Sequence, residues 1–497
     1  KFIASSGAVL TAFTPSFVPL MGFQDGFGLD AEHTPDPKQW PEDHWKGVTE
    51  GGFGNNTTLT TRITVTLPEA YQANSVGELV DERVADGKRT VTWVSDHPVD
   101  FANVIAGKWA VKRGTGTALY YHPKHAYNVD EMLSALDGAR KWYGAWFGAF
   151  PWKELKLSEF AGHAGYAQGF PTNITFSENI GFLTESKPDA QAAFMVTAHE
   201  AAHQWWGNML SPGIGPGGDV LSECMAHFSV ALLMEAMQGE RERIAFLTKI
   251  EDTYGKDRQV DSEKPLVKLT GGRPGDTTVL YDKGGWAAWM LMNHMGRERM
   301  LAGCKELIAR FENGPDHPLI EDYLAVLREH AEDKDAFDAF TKQWYFEVVV
   351  PRYTIDSATK TRVAYAAVAT SVHPSSSGPS AESDAAPSAW ELEFELTNRG
   401  TSTMPVEIAA VRGERWPKDD AKPGTRPNDP AVLAASTNGT ERAKSANAWQ
   451  ESRASTTLGA GETKKLHLRC AFEPERLVVD PDAKVLMLER KKAERKL

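Results

Sequence analysis

The chain has 497 residues, of which 41% are hydrophobic and 24% charged, a composition typical of folded, water-soluble proteins with two to four domains. Its formal net charge of −13 argues against nucleic acid and anionic membrane surfaces as partners. The three cysteines form neither a disulfide framework nor a CxxC metal motif. Since no run of about 18 apolar residues occurs, we predict no membrane span within this sequence, and a membrane tether upstream of Lys1 stays open.

The first part of the chain, residues 1–128, is predicted to be a β-rich domain. The segments T-L-T-T-R-I-T-V-T-L-P (58–68) and R-T-V-T-W-V (89–94) alternate polar and apolar residues and are separated by turn residues. This period of two is typical of strands with one buried face.

From Val129 the hydrophobic period becomes helical and predicts a helix that ends before Pro151. Two short strands follow, L-K-L-S-E-F (155–160) and N-I-T-F-S-E (173–178). Residues 189–210 are predicted to form the next helix, with Asp189 as its N-cap. Further helices are expected over 221–238 and 284–350, so residues 129–350 are predicted to be a mixed α/β domain.

The predicted helix 189–210 contains H-E-A-A-H, in which His199 and His203 stand four residues apart on one helix face. Nineteen residues separate His203 from Glu223, which opens a second apolar helix. Two imidazoles and a carboxylate are the ligand set of a catalytic zinc ion whose fourth position stays open for water. We therefore predict one Zn²⁺ per chain, held by His199, His203 and Glu223, with Glu200 as general base.

Four other features bear on the predicted site. The glycine-rich stretch 211–218 lacks the G-x-G-x-x-G order and a preceding strand, so it is predicted to be a loop without a nucleotide. His227, four residues after Glu223, is either an alternative ligand or a histidine packed behind the metal. Tyr281 precedes a helical run, where its hydroxyl could stabilise an oxyanion or simply pack. His163 is a possible substrate contact.

The last part of the chain, residues 351–497, is predicted to be a C-terminal β-sandwich domain. Four of its segments alternate like strands, at 390–398, 406–411, 464–470 and 483–488. Between 371 and 388 the chain is rich in serine, proline and alanine, which indicates a surface loop.

The run H-E-A-A-H-Q-W-W-G-N followed by L-S-E resembles the signature of the aminopeptidase N family of gluzincins, in which the second histidine and the glutamate are separated by eighteen residues. Y-D-K-G (281–284) is similar to the family's Y-x-K-G, whose tyrosine stabilises the transition state. The resemblance implies a partial N-terminal β domain, a thermolysin-like catalytic domain with a helical C-terminal part, and Tyr281 as a catalytic residue.

One segment departs from the family pattern. Where the family has G-x-M-E-N, whose glutamate binds the substrate's free α-amine, this chain has Y-A-Q-G-F, which places Gly169 at the glutamate position. The segment A-Q-G-F-P-T-N-I-T-F-S-E (167–178) is similar to a divergent branch that includes peptidase domains fused to membrane transporter permeases. Gln168 could contact the amine instead.

We therefore expect a zinc metallopeptidase that acts on peptides or proteins, with aminopeptidase activity as the first hypothesis. An endopeptidase or oligopeptidase is the alternative, because of Gly169. A non-catalytic relative that binds protein partners is a third hypothesis, which Glu200 disfavours because an inactive site needs no general base. The sequence leaves oligomeric state and compartment open.

Overall fold

A computed structural model describes residues 3–5, 8–11, 58–162, 165–186, 191–213, 215–269, 275–312, 317–364, 388–416 and 449–497. His163, Asp189 and all of the predicted surface loop 371–388 except Ser388 lie outside these ranges. The chain forms two compact units, one of residues 1–245 with 257–348 and the other of residues 246–256 with 349–497. The division into domains 1–128, 129–350 and 351–497 stays a prediction.

The first unit begins with short antiparallel strands, as the alternating sequence predicts. They are β1 (Ile3–Ser5), β2 (Ala8–Leu10), β3 (Arg62–Pro68), β4 (Gln72–Ser75), β5 (Glu78–Ala85), β6 (Lys88–Val94) and β7 (Val104–Gly107). One sheet has the order β1-β2-β7-β4 and the other the order β3-β6-β5. Trp93 and Val91 of β6 pack against Ala73 and Ala106 to form their shared core.

A five-stranded sheet positions the candidate site. Its strands are β8 (Ala110–Arg113), β9 (Thr117–Tyr121), β10 (Leu155–Phe160), β11 (Ala167–Phe170) and β12 (Asn173–Ser177), in the order β11-β12-β10-β9-β8. Strands β9, β10 and β12 are mutually parallel, whereas β8 and β11 run antiparallel along the two edges. The strands predicted at 155–160 and 173–178 are confirmed. This sheet begins before residue 128, because β8 and β9 belong to it.

Ten helices are described. They are α1 (Val129–Phe147), α2 (Glu178–Gly181), α3 (Ala192–Ala202), α4 (Glu223–Gln238), α5 (Glu240–Asp257), α6 (Asp276–Thr278), α7 (Gly284–Met295), α8 (Arg297–Phe311), α9 (Ile320–His330) and α10 (Lys334–Tyr345). The helix predicted from Val129 is confirmed, and most of its apolar residues are buried, whereas Trp142 and Trp146 are partly exposed.

The helix that carries the two histidines is shorter than predicted. It begins at Ala192, after Gln191 in the left-handed region, and His203 is already its C-cap. The chain then tightens into turns, in which the amides of Asn208 and Met209 bond to the carbonyls of His203 and Gln204.

Helix length and composition alone mark one described stretch, Gly218–Gln238, as able to cross a membrane. It includes α4, and 72% of its most apolar window is buried inside the structure, as in the core helix of a folded domain.

The second unit is antiparallel β. Its strands are β13 (Tyr353–Ala364), β14 (Ser388–Asn398), β15 (Met404–Arg412), β16 (Gln450–Leu458), β17 (Thr463–Cys470), β18 (Arg476–Val479) and β19 (Glu494–Lys496). They form two sheets, β13-β14-β17 and β16-β15-β18-β19. A β-rich C-terminal region is thus confirmed, while its description as a sandwich stays a prediction.

The strand predicted at 483–488 is wrong. Asp480 and Ala483 both adopt positive φ, at 49° and 51°, so the backbone turns where a strand would continue. The Asp480 carboxylate accepts hydrogen bonds from the amides of Lys484 and Val485. The alternating pattern there reflects burial in an irregular segment that a side-chain cap holds.

Candidate metal centre

The two histidines of α3 and the first residue of α4 meet at one point. His199 Nε2 lies 3.1 Å from Glu223 Oε2 and 3.2 Å from His203 Nε2, and His203 Nε2 lies 3.3 Å from Glu223 Oε2. The helical repeat of 3.6 residues brings the imidazoles together, and α4 begins at Glu223 so that its carboxylate faces them.

These distances suit a zinc ion. With bonds of about 2.0–2.2 Å in a tetrahedron, neighbouring zinc ligands stand about 3.3–3.5 Å apart. The three atoms are already close to this spacing, and two nitrogens with one carboxylate oxygen form a ligand set that zinc takes in catalytic sites.

Hydrogen bonds orient His203 toward this point. Its Nδ1 lies 3.0 Å from the Trp206 carbonyl, which can only accept, so Nδ1 carries a proton and Nε2 is the nitrogen that a metal ion would take by displacing the proton there. The Ser222 hydroxyl donates to the same carbonyl at 3.2 Å. Burial lowers the pKa of His203, but the Glu223 carboxylate outweighs it and raises this pKa to about 9.

His227 lies behind His199 and outside the ligand triangle. The two Nδ1 atoms are 2.9 Å apart, so one imidazole donates to the other. With Nε2 of His199 facing Glu223, its Nδ1–H is the natural donor. Burial, and then the neighbouring His199, holds the pKa of His227 well below its ordinary value, which favours the neutral acceptor. This placement agrees with a packed, orienting histidine.

Glu200 is 8% exposed and borders the same site. Burial raises the pKa of its carboxyl group, while the two histidines and a hydrogen bond from the Gly169 amide act in the opposite direction. Gly169 belongs to the edge strand β11, so this strand holds the carboxylate from the side opposite its own helix.

Gly169 leaves no room for a side chain. A Cβ at this position would lie 2.7 Å from the Glu200 carbonyl oxygen and 2.9 Å from the His203 Cβ. Because successive residues of a strand point to opposite faces, Gln168 projects away from the face on which Gly169 meets Glu200. A contact between Gln168 and substrate stays a prediction.

Tyr281 stands at the rim of the ligand triangle. Residues Val279–Lys283 form one turn of π-helix, and the Tyr281 ring stacks on His199 at a centroid distance of 5.6 Å and an interplanar angle of 20°. Burial and a hydrogen bond to Glu223 raise its pKa well above the ordinary value, so the hydroxyl stays protonated and can donate.

A buried ion pair anchors this π-turn. Lys283 Nζ lies 2.7 Å from Glu263 Oε1, and Arg258 lies 2.7 Å from the other carboxylate oxygen. The side chains of Lys283 and Glu263 are 1% and 0% exposed, so their charges depend on each other.

Two residues that the sequence analysis gave no role lock β11 onto the turns after α3. The Gln204 side chain donates to the Phe170 carbonyl at 3.0 Å and accepts from the Thr172 amide at 2.7 Å. Asn208 donates to the Gly169 carbonyl at 2.8 Å. Both belong to the Q-W-W-G-N continuation of the motif, which was the signal available for them.

Part of this chain is similar to known proteins. Residues 139–344 match the profile of the Peptidase family M1 domain. The rice protein Aminopeptidase M1-B (Oryza sativa subsp. japonica) is 24% identical over 229 residues, which are 45% of this chain and 26% of that protein. The chain therefore spans about a quarter of the length of this relative.

The chain also matches solved crystal structures. Aminopeptidase A of Legionella pneumophila in complex with aspartic acid gives a TM-score of 0.53 at 15% identity, over 86% of this chain and 44% of that one. An M1 zinc metallopeptidase from Deinococcus radiodurans gives 0.49 at 17% identity, over 69% of this chain and 71% of that one.

Proposed function

We propose that this chain, whose residues 139–344 match the Peptidase family M1 domain, is a zinc-dependent metallopeptidase that acts as an aminopeptidase. The convergence of His199 Nε2, His203 Nε2 and Glu223 Oε2, with Glu200 beside them, is the observation that carries the proposal. The aminopeptidase named in the rice relative and the aminopeptidase A fold support it.

His199, His203 and Glu223 would hold the ion. A zinc ion bound there supplies Lewis acidity, which lowers the pKa of water and polarises a carbonyl group. Glu200 accepts the proton of the attacking water and returns it to the leaving amine. Its raised pKa brings the carboxyl group closer to working pH, which suits both transfers.

Tyr281 and the Gly169 amide complete the site. The protonated Tyr281 hydroxyl donates to the charge that develops on the scissile carbonyl oxygen, and its stacking on His199 holds it at the rim. The Gly169 amide fixes one position of the Glu200 carboxylate, so the base is oriented before substrate arrives.

A second candidate function, endopeptidase or oligopeptidase, is favoured by the crowding at Gly169. The backbone of Glu200 and the Cβ of His203 fill the space where a side chain would begin, so this position offers no carboxylate to a substrate ammonium. The predicted similarity to the branch that includes peptidase domains fused to transporter permeases is consistent with this candidate function, and it stays a prediction.

Two substrates separate the candidates. One is an aminoacyl reporter with a free amine, and the other is an internally quenched peptide with a blocked N-terminus. An aminopeptidase cleaves the first and spares the second. Cleavage of the blocked peptide alone overturns the aminopeptidase proposal in favour of the oligopeptidase. Cleavage of neither by zinc-loaded protein contradicts both and favours a non-catalytic binding protein.

A further inference from the structure

A second cluster of metal-binding groups lies at the ends of the parallel strands. His125 follows β9, Glu159 is on β10, and Glu178 follows β12 as the first residue of α2. Strands β9, β10 and β12 are adjacent and parallel, so their carboxyl ends share one edge of the sheet. Ligands of open α/β sheets bind at this edge.

The three side chains direct one donor atom each to a common point. His125 Nδ1 contacts Glu159 Oε1 and lies 3.8 Å from Glu178 Oε2, and all three donor atoms lie within 4.8 Å of one another. None of these residues belongs to the His199 cluster.

Backbone amides hold the other oxygen of each carboxylate. The His122 amide donates to Glu159 Oε2 at 2.5 Å, and the Gly162 amide donates to Glu178 Oε1 at 2.8 Å. Each carboxylate is thereby oriented with its remaining oxygen facing His125. Such secondary contacts are typical of residues that ligate metals.

The charge of the cluster is unbalanced. The Glu159 side chain is 4% exposed, and among the described residues the only basic group within ion-pair distance of either carboxylate is His125. Two carboxylates facing one imidazole leave room for a positive charge that no described residue supplies.

We propose that His125, Glu159 and Glu178 form a second metal site, which binds a divalent transition ion such as Zn²⁺. One imidazole nitrogen with two carboxylate oxygens suits Zn²⁺ and comparable ions, whereas Ca²⁺ and Mg²⁺ prefer oxygen alone. Three protein ligands leave a position open to water. By joining the ends of three strands, the ion ties β9, β10 and α2 together.

The test removes one site at a time and counts zinc. The full chain is loaded with Zn²⁺, dialysed and assayed by mass spectrometry for metal per chain. Wild type is expected to hold two equivalents, and H125A/E178Q one. The variant H199A/H203A is also expected to hold one, and combining all four substitutions leaves none.

A surface His–Glu pair supplies the control. His330 Nε2 lies 2.6 Å from Glu306 Oε2 on partly exposed helices, so H330A/E306Q should change the zinc content by no equivalent. One equivalent in both wild type and H125A/E178Q overturns the second site and leaves the first intact. If H199A/H203A holds as much zinc as wild type, the first site is overturned instead.

A second readout covers variants that fold poorly. Zn²⁺ should raise the Tm of folded H199A/H203A, because the remaining site binds only the native state. Adding H125A/E178Q should abolish that rise. An equal rise in both variants, or a rise with Ca²⁺ but none with Zn²⁺, contradicts the proposal.

Discussion

Burial and the two histidines shift the pKa values of the two carboxylates at the candidate metal centre in opposite directions. Glu200 and Glu223 lie close together, yet burial raises the pKa of Glu200, whereas the two histidines outweigh burial and hold the pKa of Glu223 well below its ordinary value. One carboxylate is therefore suited to carry a proton and the other to stay ionised as a ligand. This separation of pKa values within one site supports the proposed roles of Glu200 as base and Glu223 as ligand.

Replacing Glu200 with glutamine should keep the metal and remove the base. We expect E200Q to bind zinc like wild type and to lose about 10²–10⁴-fold in kcat/KM, the range that general-base catalysis contributes. Zinc content and peptide hydrolysis measure the two effects. The exposed Glu185 is the matched control, and E185Q should retain both. Substantial hydrolysis by E200Q contradicts the assignment.

A methyl group at Gly169 should disturb the site directly. The Cβ would meet the Glu200 carbonyl at 2.7 Å, so β11 must move from α3, at a cost of about 1–3 kcal/mol. We expect G169A to unfold at lower denaturant concentration and to have a reduced kcat. At Gly165 a Cβ meets nothing within 4 Å, so G165A is the control. Equal stability of G169A and G165A would contradict this prediction, because it would show that β11 can move away from α3 without cost.

At the scale of elements, hydrophobic periodicity predicts those strands and helices whose bounds depend on burial. It does not predict where a single hydrogen-bonded contact ends or replaces an element. The strand at 155–160 is buried throughout and is predicted to the residue, because Leu155 and Leu157 alternate with polar residues at the period of a strand. The segment 483–488 has the same alternation, but the Asp480 carboxylate caps its backbone. The helix over 189–210 was predicted too long, because the turns after His203 are held by backbone bonds that no sequence pattern indicates.

The π-turn that carries Tyr281 gives an element-level prediction. Removing the charge of Lys283 takes away one of the two cations that lie 2.7 Å from the buried Glu263 carboxylate and leaves Arg258 in place. We expect K283M to lower the free energy of unfolding by about 3 kcal/mol and to reduce kcat more than zinc content. Denaturant unfolding and single-turnover hydrolysis measure these quantities. An unchanged kcat in folded K283M would show that the ion pair is not needed to position Tyr281.

Within the second unit, one partly buried arginine binds Glu251 of α5. Arg490 donates through Nε and Nη2 to the two oxygens of Glu251, at 2.8 Å each, and Glu251 is buried. We expect R490M to destabilise this unit by about 3–5 kcal/mol, because a buried carboxylate is left uncompensated. Lys492 forms an exposed pair with Glu489, so K492M should stay within about 0.5 kcal/mol of wild type. Similar unfolding midpoints for the two variants would contradict this account.

For the whole molecule, stability should depend on one buried acid of the first unit. Burial raises the pKa of Asp100 to about 7, above its ordinary 3.8. Between these values the folded state holds a proton on Asp100 that the unfolded state has released, so the contribution of this group to stability falls as pH rises from about 4 to 7. The shift corresponds to roughly 4 kcal/mol at most.

Asparagine at this position removes the dependence. We expect D100N to be more stable than wild type at pH 8 and to have a flatter profile below pH 7, as measured by urea unfolding at several pH values. Asp86, exposed in a turn, provides the control D86N. A wild-type stability that rises between pH 4 and 7, with D100N following it, contradicts the assignment.

The arrangement of the whole chain was predictable only in part. The β-rich, helical and β-rich regions follow from hydrophobic periodicity, and His199, His203 and Glu223 follow from ligand spacing. The sheet to which β8 and β9 belong depends on long-range pairing, which local patterns do not encode. The cluster of His125, Glu159 and Glu178 was not predicted for the same reason, since three strands bring together residues with no common motif.

The most direct test of the account is anomalous diffraction at the zinc absorption edge from crystals of the zinc-loaded chain. The account predicts a peak about 2.0–2.2 Å from His199 Nε2, His203 Nε2 and Glu223 Oε2 together. A peak ligated by His227 in place of one of these residues, or no peak among the three, would contradict the metal centre on which the proposed peptidase depends.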